Sequence, residues 1–339
     1  MILGGDIGGT KVNLGLFSFE NQKLKLVLES SYPSKKAARL QDIVGEFLRA
    51  NGSPRVERAC FGIAGPVRNG VAQLTNLPWI VVATEMSSDL GIGPVALIND
   101  LEANAHGLVE LGPEDLLVIN PGEPGAMGNQ AIISAGTGLG EAGLFWDGVR
   151  HRPFACEGGH SSFAPLTKLD AELFDYLNDQ VGHVSWERVL SGAGLINIFQ
   201  FLRDTKRGEE PFWVADKMAE GDPAAVISKA AEEGSCSRCQ LALDLFVTYY
   251  AAEASNLALK LMATGGVFIG GGIAPKILEH LKSDTFVHNF IGNGRMRSLL
   301  QAMPVKVVLN PLTALLGAAH FAAYEMPQAA PDAAAGGAR

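Results

Sequence analysis

Three times along this chain an apolar run ends in clustered glycines: Gly5-Asp6-Ile7-Gly8-Gly9-Thr10-Lys11, Ala135-Gly136-Thr137-Gly138-Leu139-Gly140 and Gly270-Gly271-Gly272. Glycine is kept where backbone takes φ > 0 or lies close to a ligand. Successive N–H groups on a tight turn also bind phosphate oxygens. The first two clusters each read as strand, tight turn, strand. They are followed by Gly15-Leu16-Phe17 and Gly143-Leu144-Phe145, with one extra residue in the second copy, which reads as an internal repeat. Two such turns, one from each half of a duplicated fold, can grip a polyphosphate from opposite sides. The third cluster follows Val267-Phe268-Ile269 and leaves room for a flat group such as adenine; Pro275 then sits where a helix would begin. Asp6, beside the first turn, can hold a hydrated Mg²⁺. The spacing is not that of a P-loop. A strand rather than a helix after the first turn also excludes the dinucleotide fingerprint.

Between these clusters, short β-rich runs alternate with helical patterns, the mark of an α/β architecture. The expected strands are 12–17, 24–28, 58–63, 95–98, 116–119, 131–134, 267–269 and 305–309. Helices are expected at 38–50, 101–111, 169–178 and 240–263, the last ended by Gly265-Gly266. At 339 residues the chain has room for two compact domains. Its 27 basic and 36 acidic residues give a formal charge of −9 with no Lys/Arg block, so neither nucleic acid nor an anionic membrane is an expected partner. Phosphate must therefore be held by backbone N–H groups and a metal ion. The start lacks a basic and apolar leader pattern and no apolar run reaches membrane-spanning length, so a cytoplasmic location is expected. Cys236-x-x-Cys239 has no second pair to complete a zinc site, and the four cysteines read as free thiols. The Ala/Gly/Pro-rich stretch 327–339 reads as a disordered tail.

Two further segments carry chemistry. Ile98-Asn99-Asp100 ends an apolar strand, and the spacing of Leu101, Ala105 and Leu108 begins a helix there. Asp100 reads either as a helix cap or as a carboxylate beyond a strand's carboxyl end, where α/β ligands collect. In the second case it can take the proton of a hydroxyl attacking phosphorus. Glu157-Gly158-Gly159-His160 is loop-like, and its carboxylate and imidazole suit a neutral polyol. Glu187, in Ser185-Trp186-Glu187-Arg188, reads from spacing alone as an ordinary exposed helical glutamate.

Together with Thr75-Asn76-Leu77-Pro78-Trp79, residues 182–192 (Gly-His-Val-Ser-Trp-Glu-Arg-Val-Leu-Ser-Gly) and Ile273, these motifs are similar to those of the bacterial glucokinase family, among the actin-like, hexokinase-like phosphotransferases. The similarity runs from about residue 3 to residue 322. It implies a duplicated actin-like (ribonuclease H-like) α/β fold with two domains around a cleft: residues 1–110, completed by a helix within 310–325 (312–323 matches it), and residues 111–309. It implies transfer of the γ-phosphoryl group of ATP to the 6-hydroxyl of glucose. Asp100 is then the base, and Asn99, Asp100, Glu157, His160 and Glu187 line the sugar site. Gly5, Asp6, Ile7, Gly8, Gly9, Thr10, Gly136, Thr137 and Gly138 hold the phosphates, and Gly192, Gly270 and Gly271 border the adenosine. A homodimer is implied as well. Lys11, where relatives often carry Asn, resembles instead the neighbouring repressor-and-kinase family, yet the cysteine cluster that follows the Glu-x-Gly-His motif there is missing. Ala64-Gly65-Pro66 departs from the Cys-before-Pro of relatives. Another hexose as acceptor, a non-catalytic sugar sensor and a filament-forming ATPase stay open as alternatives.

Overall fold

The computed structural model describes residues 1–21, 23–74, 77–292 and 294–326. The expected 327–339 tail and Thr75-Asn76 of the family fingerprint lie outside the described residues. The chain divides into two compact units, Met1–Glu110 with the segment from Leu312, and Leu111–Pro311.

In the first unit, β1 (Ile2–Ile7), β2 (Lys11–Glu20) and β3 (Lys23–Pro33) form an antiparallel meander. β4 (Arg58–Ile63) pairs parallel to β1, and β8 (Val95–Asn99) parallel to β4. The sheet order is β3-β2-β1-β4-β8, and a small second sheet holds β5 (Val67–Arg68), β6 (Val71–Gln73) and β7 (Ile80–Val82). Both faces of the large sheet are covered. The Leu40–Ala50 helix places Leu40, Ile43, Val44 and Phe47 on one apolar stripe, buried with Leu3, Val12 and Phe61. The Thr313–His320 helix buries Ala314, Leu315, Ala318 and Ala319 against Ile2, Phe17 and Cys60. Small residues let it lie close: a Cβ on Gly4 would stand 3.0 Å from the Leu315 carbonyl and 3.1 Å from Ala319 Cβ. Arg58 Nη1 donates to the carbonyls of Ala322 (3.3 Å) and Ala323 (3.0 Å) beyond that helix.

The second unit contains β9 (Leu116–Asn120), β10 (Gln130–Ala135), β11 (Leu139–Trp146), β12 (His151–Cys156), β13 (Gly266–Gly270) and β14 (Val305–Val308). Their order is β12-β11-β10-β13-β14-β9. Strands β10 to β12 are an antiparallel meander, β13 and β14 run parallel to β10, and β9 closes the far edge antiparallel to β14. Apart from β9, this repeats the first sheet strand for strand, so the two glycine turns of the sequence repeat, after β1 and after β10, occupy equivalent corners.

Helix boundaries differ from the sequence reading: the helix expected over 38–50 starts at Leu40, the one over 169–178 runs Lys168–Val181, and three others end differently. The helix expected over 101–111 runs Asp100–Gly107, then tightens to a 3₁₀ turn at Leu108–Glu110 and leaves Leu111 outside, ahead of Gly112-Pro113. Positions 312–323 form the Thr313–His320 helix and, from Phe321, a single π turn to Glu325. The long helix spans Ser237–Leu261 and ends not at the glycines but at Met262, which takes the left-handed conformation (φ 49°). Its start is capped by Cys236, whose Sγ accepts from Cys239 N at 3.2 Å. Among the described residues no helix is long and apolar enough to cross a membrane.

Candidate functional site

The predicted residues fall into two clusters, one in each unit. In the first, the register Ile7↔Ile63 and Ile63↔Asn99 brings the carboxyl ends of β1, β4 and β8 level. Asn99, not Asp100, caps the following helix: its Oδ1 accepts from Leu101 N (2.8 Å) and Glu102 N (3.4 Å), while Nδ2 donates to the Gly65 carbonyl (3.3 Å). Asp100 is therefore the first helical residue, where the helix N-terminus favours a carboxylate; its Oδ1 accepts from Leu101 N at 3.0 Å. Gly62 permits this seat, since a Cβ there would stand 2.7 Å from Ala103 Cβ.

The Gly8–Lys11 turn adjoins these strand ends. Gly8 N donates to the Lys11 carbonyl at 2.9 Å. Ser34, which the sequence reading did not single out, pins the turn by donating from N to the Thr10 carbonyl (3.0 Å) and from Oγ to the Gly8 carbonyl (2.8 Å). Asp6 Oδ2 accepts from Asn13 Nδ2 (3.0 Å), and Asn13 Oδ1 accepts from Ser31 Oγ (2.6 Å). Burial pushes the Asp6 carboxyl up, while Asn13 and the Lys11 charge oppose it. A carboxylate fixed beside a phosphate-sized turn suits an outer contact to a hydrated cation. No cage of three or more His, Cys, Asp or Glu side chains occurs among the described residues.

In the second unit, three glycine elements gather around Ala135. The turn between β10 and β11 closes with Gly136 N donating to the Gly138 carbonyl (2.8 Å), and Gly192 N donates to the Gly136 carbonyl (2.9 Å). Ser191 caps the Gly192–Asp204 helix, its Oγ accepting from Gly194 N at 3.0 Å. Ile273 N donates to the Ala135 carbonyl (3.2 Å), and Gly271, at φ +83°, lies so close to that carbonyl that any Cβ would collide with it. Tyr250 ties the group together from below: Ala135 N donates to its hydroxyl (3.0 Å), which donates to the Gly270 carbonyl (2.9 Å). Nothing in the sequence pattern marks Tyr250, one buried aromatic within a long helix.

Gly8, Gly136 and Gly138 lie outside the left-handed region, so φ does not demand glycine at any of them. A Cβ on Gly136 would meet nothing within 4 Å, whereas one on Gly138 would stand 2.5 Å from Glu187 Oε2. That same oxygen accepts from Leu139 N at 3.0 Å, so Glu187 is seated on the glycine turn and is not an exposed helical glutamate. Glu157 and His160 are exposed on the 3₁₀ turn Gly158–His160 that follows β12. Trp186 N donates to the Ser161 carbonyl (3.0 Å), and Ser162 bridges Ser185, which ties this segment to the one bearing Glu187. Acceptors and an imidazole thus rim the start of β11, next to a backbone turn able to take phosphate oxygens.

The family model described as glucokinase matches residues 3–325. A glucokinase of Nostoc sp. is 44% identical over 338 residues, covering 95% of this chain and 99% of that one. The crystal structure of a glucokinase from an Antarctic psychrotroph superposes with a TM-score of 0.80 at 32% identity, covering 94% of this chain and 97% of the other. A ROK family glucokinase from Streptomyces griseus, solved in complex with glucose and AMPPNP, shares the fold at a TM-score of 0.64 and 22% identity, over 95% and 98% of the two chains. On the sequence match and the long alignment together, the chain belongs to the glucokinase family.

Proposed function

We propose that this chain transfers the γ-phosphoryl group of ATP to the 6-hydroxyl of glucose, with Asp100 as general base. The observation that carries the assignment is the division of labour at the end of β8: Asn99 takes the cap, and the next residue carries a carboxylate at the carboxyl ends of three parallel strands. Asp100 orients the hydroxyl and accepts its proton as the oxygen–phosphorus bond forms. Asn99, Glu157, His160 and Glu187 are the residues that hold the ring hydroxyls of glucose. The turns at Gly5–Thr10 and Gly136–Gly138 take the phosphates, and Gly192, Gly270 and Gly271 border the adenosine. Asp6 would hold Mg²⁺ through water, and the ion would neutralise phosphate charge.

The repeated strand order supports reading both sheets as halves of one actin-like duplication. We read the protein further as a cytoplasmic homodimer; its negative charge speaks against nucleic acid as a partner. Asp100→Ala is expected to lower kcat by ~10²–10⁴-fold with a smaller effect on glucose affinity. A coupled assay of ADP release against glucose measures both, and a near-normal kcat in that variant removes Asp100 as the base.

A further inference from the structure

Directly behind the Glu157–His160 segment, two carboxyls face each other in the interior. Glu141 lies on β11, opposite Cys156 of β12 and one step from Glu157. It is 1% exposed, and Glu253 of the Ser237–Leu261 helix is 0% exposed. Two buried carboxylates in contact cannot both ionise, so the pair shares a proton. Glu253 is the anionic member: it accepts from Asn256 Nδ2 (2.8 Å) and lies 3.4 Å from Lys260 Nζ. Glu141 has neither partner, and its Oε1 has no hydrogen bond at all. The proton therefore resides on Glu141, where burial, and after it the Glu253 charge, push the carboxyl up to about 8.

The remaining neighbours are accounted for. On β10 the residue opposite is Ile133, which does not titrate. On β12, the Cys156 thiol donates to the Glu141 carbonyl (3.4 Å) and is itself pushed up by burial. Beyond it come Glu157 and, across the 3₁₀ turn, His160. The helix supplies Glu253 and Lys260.

The floor of the turn is built on this carboxyl. Gly158 sits against Glu141 Oε2 so closely that any Cβ would collide with it, and Gly159 is packed in the same way on the Leu139 carbonyl. We propose that Glu141, through its contact with Gly158 and its pairing with Glu253, is the positioning residue that seats Glu157 and His160 for the sugar. This rests on the reading that those two side chains hold glucose. The sign follows from the raised carboxyl: Glu141 keeps its proton, and with it the stabilised pair, below about 8, and both are lost as pH rises through about 8. Ionised Glu141 would set a second negative charge beside Glu253, and lifting the Gly158 turn is the way to hydrate it.

The test is the pH profile of glucose KM and kcat from pH 7 to 9.5, at saturating ATP, for the wild type, E141Q, E253Q and E157A. In the wild type, KM is expected to rise about tenfold, the effect of losing one hydrogen bond to a charged group, while kcat and the KM for ATP stay level. E141Q remains neutral and still donates to Glu253, so its KM stays at the pH 7 value throughout. E253Q removes the charge that helps keep the proton on Glu141, so its rise moves to lower pH; this variant carries the test if E141Q does not fold. A flat wild-type profile, an E141Q profile rising in parallel with the wild type, or an unshifted E253Q rise overturns the positioning role. If instead E157A has wild-type KM at pH 7, the sugar-holding reading itself has failed.

Discussion

Asn99→Ala separates the work of holding Asp100 from the chemistry of Asp100. The substitution removes the cap bonds to Leu101 N (2.8 Å) and Glu102 N (3.4 Å) and the link to the Gly65 carbonyl (3.3 Å). Loss of an N-cap costs about 1–2 kcal/mol, and a long neutral hydrogen bond about 0.5 kcal/mol more, so the first unit should lose roughly 1.5–2.5 kcal/mol. At about 4 °C per kcal/mol, its melting transition falls by roughly 6–10 °C. Asn99→Asp keeps the cap, with a charge that suits a helix N-terminus, and loses only the Gly65 link; its transition falls by about 2 °C. Both variants lose the amide, so both raise glucose KM by about the same factor, ~3–10-fold. Only Asn99→Ala unpins the first helical turn, so only it lowers kcat, by about tenfold, as the base drifts from its attack geometry. Calorimetry and steady-state kinetics on the two variants decide the matter. Equal melting temperatures, or equal kcat values, in Asn99→Ala and Asn99→Asp would refute the idea that the cap positions the base.

Gly138→Ala should displace the Glu187 carboxylate, because the new methyl would stand 2.5 Å from Oε2; glucose KM rises about tenfold, and adding Glu187→Ala to the same chain raises it little further. Tyr250→Phe leaves the buried Ala135 N–H and the Gly270 carbonyl without the hydroxyl that joins them. Urea unfolding should register a loss of about 2–4 kcal/mol, and the KM for ATP should rise with it because both adjoining turns loosen.

Much of the fold was legible because it is periodic. The run Arg58–Ile63 is bounded in the structure as the sequence suggests, since both flanks change character within one residue. The glycine turns were legible because clustered glycines at the end of an apolar run stand out in the sequence itself, although the corner at Gly136 would admit a Cβ. Met262 was not, because a helix can end on a non-glycine left-handed residue when the packing of its last turn fixes the point. The choice between Asn99 and Asp100 as cap was equally hidden: both side chains can cap, and only the register of β8 on β4 decides which one stands at the boundary.

The supporting residues behind the candidate site belong to a different class, and here periodicity fails for a physical reason. Glu141 lies among buried apolar neighbours on its strand, Leu139, Ala142 and Leu144, and Glu253 lies in a helix where an acidic residue would ordinarily face water. Each alone would be costly in the interior; together, with one proton, Asn256 and Lys260, they are stable. That compensation joins positions far apart in the chain, so no window of sequence contains it. The same holds for Gly138, whose lack of a side chain is explained only by a glutamate 49 positions further on. A local pattern can nominate a turn that binds phosphate or a carboxylate that takes a proton. What holds either one in place is a set of long-range exclusions, such as Gly158 against Glu141, and these become visible only when the strands are paired.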